Sequence, residues 1–338
     1  MLLEIDASKK HKIGKNSIVQ FIENYGLIFV ALLFFIIFTI IKPQYINPRN
    51  IFTMIRQASA IGFMALGLTS LSIVGEIDIS FAANATVCGV VSIVLIQNGV
   101  NNTYLIWAIC ILLGMTISYF NARLIVGLGV PSLAGSLGMM VLLTGVARWL
   151  TKGIPIYTEV FPAGFDFIGR FKLFGIIPFQ TLIFVVIVII LTIFLDFTPQ
   201  GRYIYSSGGN PEAAYHVGIN VGKCKYMAFL IAGFCNGLTG ITLSSEYGSA
   251  SHTLAEGYFF LVLASGFLGA TFMTGGVPNP RGTAVATLLL AILNNGLIIV
   301  GLPFYVRLIF QGFLVIISIV LPIFINWRKG REFVWFIH

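Results

Sequence analysis

The sequence predicts an all-α polytopic membrane protein of about ten transmembrane helices, and three observations carry that prediction. Of 338 residues, 57% are hydrophobic and only 9% are charged. A soluble domain carries about 25% charged residues, so a chain this poor in charge cannot cover its own surface in water. The mean hydropathy is +0.95. The apolar residues also come in long continuous runs. This favours helices of about 20 residues over the alternating strands of a barrel.

Ten runs meet or approach spanning length. They are Tyr25–Ile41, Gln57–Val74, Phe81–Ile96, Tyr104–Ile125, Pro131–Leu150, Phe174–Leu195, Tyr226–Ser244, Tyr258–Met273, Thr283–Val300 and Phe304–Ile325. The longest connections, Thr151–Lys172 and Thr198–Lys225, are too short for a soluble domain. Residues 25–325 therefore read as one transmembrane domain between tails 1–24 and 326–338. Lys9, Lys10, Lys12 and Lys15 precede the first run. That run is near spanning length and no small-residue cleavage site follows it, so it reads as a membrane helix and not as a removable signal.

Orientation follows from the basic residues, which concentrate on the cytoplasmic side. With a cytoplasmic N-terminus, that side gains Arg123, Arg202, Lys223, Lys225, Arg281, Arg328, Lys329 and Arg331 besides the four N-terminal lysines. Fewer fall outside, and an even number of spans returns the C-terminus to the cytoplasm. The net charge of +8 comes from 20 basic and 12 acidic residues. These lie between apolar runs, where lipid headgroups account for them. A nucleic-acid partner would require a basic stripe with interleaved aromatics, so none is expected.

Catalytic groups are sparse. His11, His216, His252 and His338 are far apart, and no paired-acid, metalloprotease or nucleophile-elbow motif occurs. The cysteines, Cys88, Cys110, Cys224 and Cys235, lack metal-ligand spacing and read as small packing residues. A phosphate-binding loop ending at Gly14-Lys15 would need glycine at position 9 and Ser or Thr at position 16. Lys9 and Asn16 stand there. The chain is thus expected to be no enzyme and to bind no cofactor or metal. If it moves a solute uphill, the energy comes from a partner or an ion gradient.

Gly75-Glu-Ile-Asp-Ile-Ser80 interrupts apolar sequence on both sides. Glu76 and Asp78 are costly against lipid, so they must face water, a cavity or protein. Candidates for a solute path are Gln57, Asp78, Ser80, Asn84, Ser136, Asn236, Asn294 and Asn295. Amides and hydroxyls can exchange hydrogen bonds with a hydroxyl-rich solute. The same groups can equally bind helix to helix. Gly233-x-x-x-Gly237, with Gly240 beyond, has the small-residue spacing that lets helices approach closely.

The strongest local signal lies in the connection 198–225. Asn210 can cap a helix that starts at Pro211, with Glu212 at its positive end and Gly218 as its stop. This predicts a short helix between two spans, stiffly held at both ends. Such an element can pass on force from a docked protein.

The same loop resembles the coupling segment of ABC permeases for ribose, xylose, arabinose, galactose and autoinducer-2, whose form is G-R-x-x-x-A-x-G-G-N-x-x-A-A-x-x-x-G-I. Further similarities follow in order: Asn50–Gln57, Ala65–Thr69, Gly75–Ser80, Val130–Gly138, Thr151–Pro155, Gly275–Thr283 and Asn295–Leu297. The chain departs from the family pattern at Glu76, where a second glycine is usual, and at Phe259–Leu261, where acidic residues are usual. Ala270, Pro278 and Pro280 depart as well.

The resemblance implies a permease of the bacterial cytoplasmic membrane, paired with a second copy or a sister permease. It implies a cytoplasmic ATPase that holds ATP-Mg and an extracytoplasmic sugar-binding protein. It places ATPase coupling at Gly209, Asn210, Pro211, Glu212, Ala213, Ala214, His216 and Gly218. The expected cargo is a monosaccharide or related polyol. A permease for another solute such as an amino acid, and a gradient-driven carrier centred on Asp78, are the other readings.

Overall fold

The computed structural model describes residues 17–270 and 276–328, with side chains from 25 to 270 and 276 to 320. The chain folds as helices joined by short turns. These are α1 (Ser17–Ile41), α2 (Pro48–Ile73), α3 (Phe81–Gln97), α4 (Thr103–Ala122), α5 (Ser132–Thr151), the short α6 (Phe167–Arg170) and α7 (Phe179–Phe197). Then come α8 (Pro199–Gly209), α9 (Pro211–His216), α10 (Val221–Tyr247), α11 (Phe259–Gly269), α12 (Pro280–Val300) and α13 (Phe304–Arg328). A π-helical turn, Arg123–Gly127, follows α4. Two-residue strands β1 (Ile156–Tyr157) and β4 (Ser249–Ala250) pair antiparallel, as do β2 (Lys172–Leu173) and β3 (Ile177–Pro178).

Among the described residues, six helices are long and apolar enough to cross a membrane: α2, α4 with its π turn, α5, α7, α10 and α12. Four shorter apolar helices accompany them, at Tyr25–Ile41, Phe81–Gln97, Glu256–Gly269 and Phe304–Val320. Each of the ten apolar runs in the sequence overlaps one of these helices. Residues 1–16 of the N-terminal tail, 329–338 of the C-terminal tail, and Thr271, Phe272 and Met273 of the eighth run lie outside the described residues.

Asparagine and threonine side chains start many of these helices by accepting an otherwise unpaired backbone N–H. Asn47 accepts from Arg49, Asn102 from Leu105, Thr198 from Gly201, Asn220 from Lys223 and Asn279 from Gly282. These caps explain where helix boundaries differ from the apolar runs. α2 begins at Pro48, well before Gln57, and α10 at Val221, before Tyr226. In both, polar first turns lower hydropathy while the cap and, for α2, Pro48 hold the helix. α7 begins later than its run because Phe174–Pro178 turns back as the β2–β3 hairpin.

Two helices form the centre. In the most apolar window of α10, 78% is buried, and in that of α2, 67%, against 28% for α5 and α7. Phe63, Met64, Leu66 and Leu68 of α2 are sealed from solvent. The glycines of α10 make this possible. A Cβ on Gly233 would come 2.5 Å from the Gly114 carbonyl oxygen, and one on Gly237 would come 2.8 Å from Ile111 Cα. A Cβ on Gly240 would strike the Ala85 carbonyl. The spacing read as close packing therefore packs α10 on α4 and α3 without intervening side chains.

Candidate functional site

One end of the bundle gathers the connections 74–80, 123–131, 198–220 and 276–279. α8, which the sequence reading left within a loop, is capped by Thr198 and carries Pro199 at its first turn. Its Tyr205 hydroxyl donates to the Pro278 carbonyl at 3.2 Å, and burial pushes that hydroxyl up to about 12, keeping it a donor. Arg281 of α12 bonds Asp196, at the end of α7, at 2.6 Å. Gly208 lies on the last turn of α2, where a Cβ would overlap the Ile73 carbonyl oxygen.

α9 follows. Asn210 Oδ1 accepts from the Ala213 N–H at 2.9 Å, and Pro211 occupies the first turn. At the other end Gly218 has φ +84°, its N–H reaches the Tyr215 carbonyl and the Ile219 N–H reaches the Ala214 carbonyl. That pair of bonds is a Schellman motif, which only a residue at ease with positive φ closes cheaply. Both ends of the predicted short helix are thus fixed as the sequence indicated. Ala214 is buried, whereas Glu212, Ala213, Tyr215, His216 and Val217 are exposed. Tyr215 at 72% and Val217 at 76% form an apolar tip on the outside of the bundle. Gly209, next to the cap, has open space around it.

The turn 74–80 is built as tightly. α2 ends in its own Schellman motif, with Gly75 at φ +78°, the Gly75 N–H on Ser72 and the Glu76 N–H on Leu71. Glu76, which had to face water, a cavity or protein, faces Lys225 in the first turns of α10, with Nζ and Oε1 at 2.6 Å. Asp78 Oδ1 accepts from the Ser80 N–H at 2.7 Å and from its hydroxyl at 2.5 Å. Burial pushes the Asp78 carboxyl up, and the hydrogen bonds from Ser80 draw it back.

The other solute-path candidates do not share one network. Among the described residues, Asp78 and Ser80 are the only two of the eight bonded to each other. Asn84 is sealed and donates to the Gly114 carbonyl and the Ser118 hydroxyl, both at 3.1 Å. Ser136 donates to Leu133 of its own helix. Asn294 accepts from Gln311 of α13 at 3.4 Å. Gln57, Asn236 and Asn295 each have a buried amide oxygen without a protein partner.

At the opposite end a second ion pair joins α2 to α10. Arg56 Nε lies 3.1 Å from Glu246 Oε1. Gln180 donates to the Arg56 carbonyl at 2.9 Å, and Arg170 Nε to the Glu246 carbonyl at 3.1 Å. Sequence reading did not pair Arg56 with Glu246. Both ends were visible as charges beside apolar runs, but only the antiparallel packing of α2 and α10 brings them together.

No group of three or more potential metal ligands is present among the described residues. Residues 50–319 match the model of the family described as branched-chain amino acid transport system / permease component. The ribose import permease protein RbsC of Bacillus subtilis (strain 168) is 31% identical over 85% of this chain and 88% of its own length. The probable ABC transporter permease protein YphD of Escherichia coli (strain K12) is 27% identical over 94% of each chain. The autoinducer 2 import system permease protein LsrD of Photorhabdus laumondii is 28% identical over 88% of this chain and 90% of its own. No solved structure matches. With the family matched over most of its length and a related permease aligned nearly end to end, the chain belongs to the ABC-importer permease family that includes the ribose and autoinducer 2 import permeases.

Proposed function

We propose that the chain is the membrane-spanning subunit of an ATP-driven importer for a monosaccharide or related polyol. It crosses the bacterial cytoplasmic membrane ten times with both termini inside. It pairs with a second copy or a sister permease, receives solute from an extracytoplasmic binding protein and docks a cytoplasmic ATPase that carries ATP-Mg. The observation that carries the reading is α9, capped at both ends and presenting Tyr215 and Val217 outward from one end of the bundle. A rigid exposed helix with an apolar tip suits a protein partner and has no evident use to an isolated bundle.

Asn210, Pro211 and Gly218 fix the shape of this element, and Gly209, Glu212, Ala213, Tyr215 and His216 form its exposed face. For the solute path, Gln57, Asn236 and Asn295 are the best supported of the eight candidates. Each has an amide oxygen free to accept from a sugar hydroxyl. The family description names amino acids, but the relatives aligned over most of the chain are named for ribose and autoinducer 2, which favours the sugar reading.

The test is a detergent pull-down on the tagged chain with mass spectrometry of what accompanies it. A Walker-motif ATPase is expected, and it should be lost with Ala213→Glu, which places charge on an exposed position without disturbing the fold. Solute uptake by the chain alone, driven by an ion gradient, would overturn the reading.

A further inference from the structure

α9 hangs between two attachments, and both are made to the same place. Before it, the end of α8 rests on the last turn of α2 through Gly208, with no room for a Cβ against Ile73 and Val74. After it, Lys225 of α10 holds Glu76 at 2.6 Å. The Schellman bonds of Gly75 and Glu76 fix the Glu76 backbone to the end of α2, so the carboxylate cannot follow Lys225 without moving that helix. Both side chains of the pair are mostly shielded, at 10% exposure for Glu76 and 26% for Lys225. Water screens such a pair less than one on an open surface.

We propose that Glu76 and Lys225 are positioning residues of the transport cycle, closing a two-point clamp that delivers displacement of α9 to α2. The proposal rests on the reading of α9 as the ATPase contact. Gly208 resists a push of α9 toward α2 through direct contact. The ion pair resists a pull away from it, because separation would leave a carboxylate and an ammonium in a poorly hydrated crevice. A contact alone transmits compression only, so the ion pair makes the connection work in both directions. α2, buried along most of its length, then carries the displacement to the far end of the bundle.

The experiment uses the complete complex that accompanies the tagged chain, with one reporter cysteine at Thr53→Cys. This position is half-buried in the far stretch of α2, and the four native cysteines are buried. The rate of labelling by a membrane-impermeant maleimide is measured with and without ATP-Mg and vanadate. The vanadate-induced rate change is expected to fall about fivefold or more in Glu76→Gln and in Lys225→Met, the scale of a typical site-to-site coupling. The amount of accompanying ATPase should stay the same. The exchanged pair Glu76→Lys with Lys225→Glu should recover the response, which a merely structural lesion would not do. Single variants that respond like the parent overturn the proposal, as does an exchanged pair that stays silent while folded and ATPase-bound. If the parent chain brings down no ATPase, the α9 reading itself fails and the clamp falls with it.

Discussion

Gly208 of α8 lies against the Ile73 carbonyl at the end of α2 so closely that no side chain fits between them. Its neighbour Gly209 has open space where a Cβ would stand. The two glycines thus form a natural control for each other. Gly208→Ala should destabilise the protein by about 1–3 kcal/mol, the usual cost of overpacking. Gly209→Ala should be near neutral. The readout is thermal unfolding in detergent with a thiol-reactive fluorescent dye, since Cys88, Cys110, Cys224 and Cys235 are all buried in the folded state. Equal midpoints for the two variants would contradict the packing described.

The contact of α10 with α4 makes a stronger demand. Gly233→Leu would drive a branched side chain into the Gly114 carbonyl and Met115. We expect loss of folded protein on size-exclusion chromatography. Gly138→Leu on α5, where a Cβ meets nothing within 4 Å, should elute like the parent.

Asn210 sets the start of α9. Asn210→Ala should cost about 1 kcal/mol of local helix stability, and Asn210→Asp should retain the cap. Because α9 has so few residues, that loss weakens its order far more than it weakens the bundle. The alanine variant should recover less ATPase in the pull-down with an unchanged unfolding midpoint, and the aspartate variant should match the parent.

The Arg56–Glu246 pair is best judged by a double-mutant cycle. Glu246→Gln and Arg56→Gln should each lower stability by up to about 1 kcal/mol, the scale of an ion pair that water partly reaches. The double variant should cost less than the two singles together. Strict additivity would mean that the 3.1 Å approach carries no coupling.

Hydropathy located every apolar helix because lipid and the bundle core impose the same preference over many residues. It could not locate the ends of α2 and α10, where Arg49, Arg56, Lys223 and Lys225 sit inside helices that Asn47 and Asn220 cap. α9 was legible because its signals are local: a cap, a proline and a glycine within one short stretch. α8 was not, since the contact that holds its end is not local. Gly208 packs against α2, a helix more than a hundred residues away in the chain. Glu76 stood out as a charge in need of a partner, but the partner could not be named without the tertiary packing.

The two ion pairs between α2 and α10 have a further consequence for how the sequence can change. Arg56 and Glu76 are about 20 residues apart, as are Lys225 and Glu246, roughly 30 Å of helix at 1.5 Å per residue. The charges are reversed between the two ends. The helices therefore measure each other like two rulers laid head to tail. Inserting one residue between the paired positions of either helix would rotate one end by about a quarter turn and break a pair. Compensation would require a matching insertion in the other helix. Substitutions along this stretch can accumulate singly, but changes of length must come in twos.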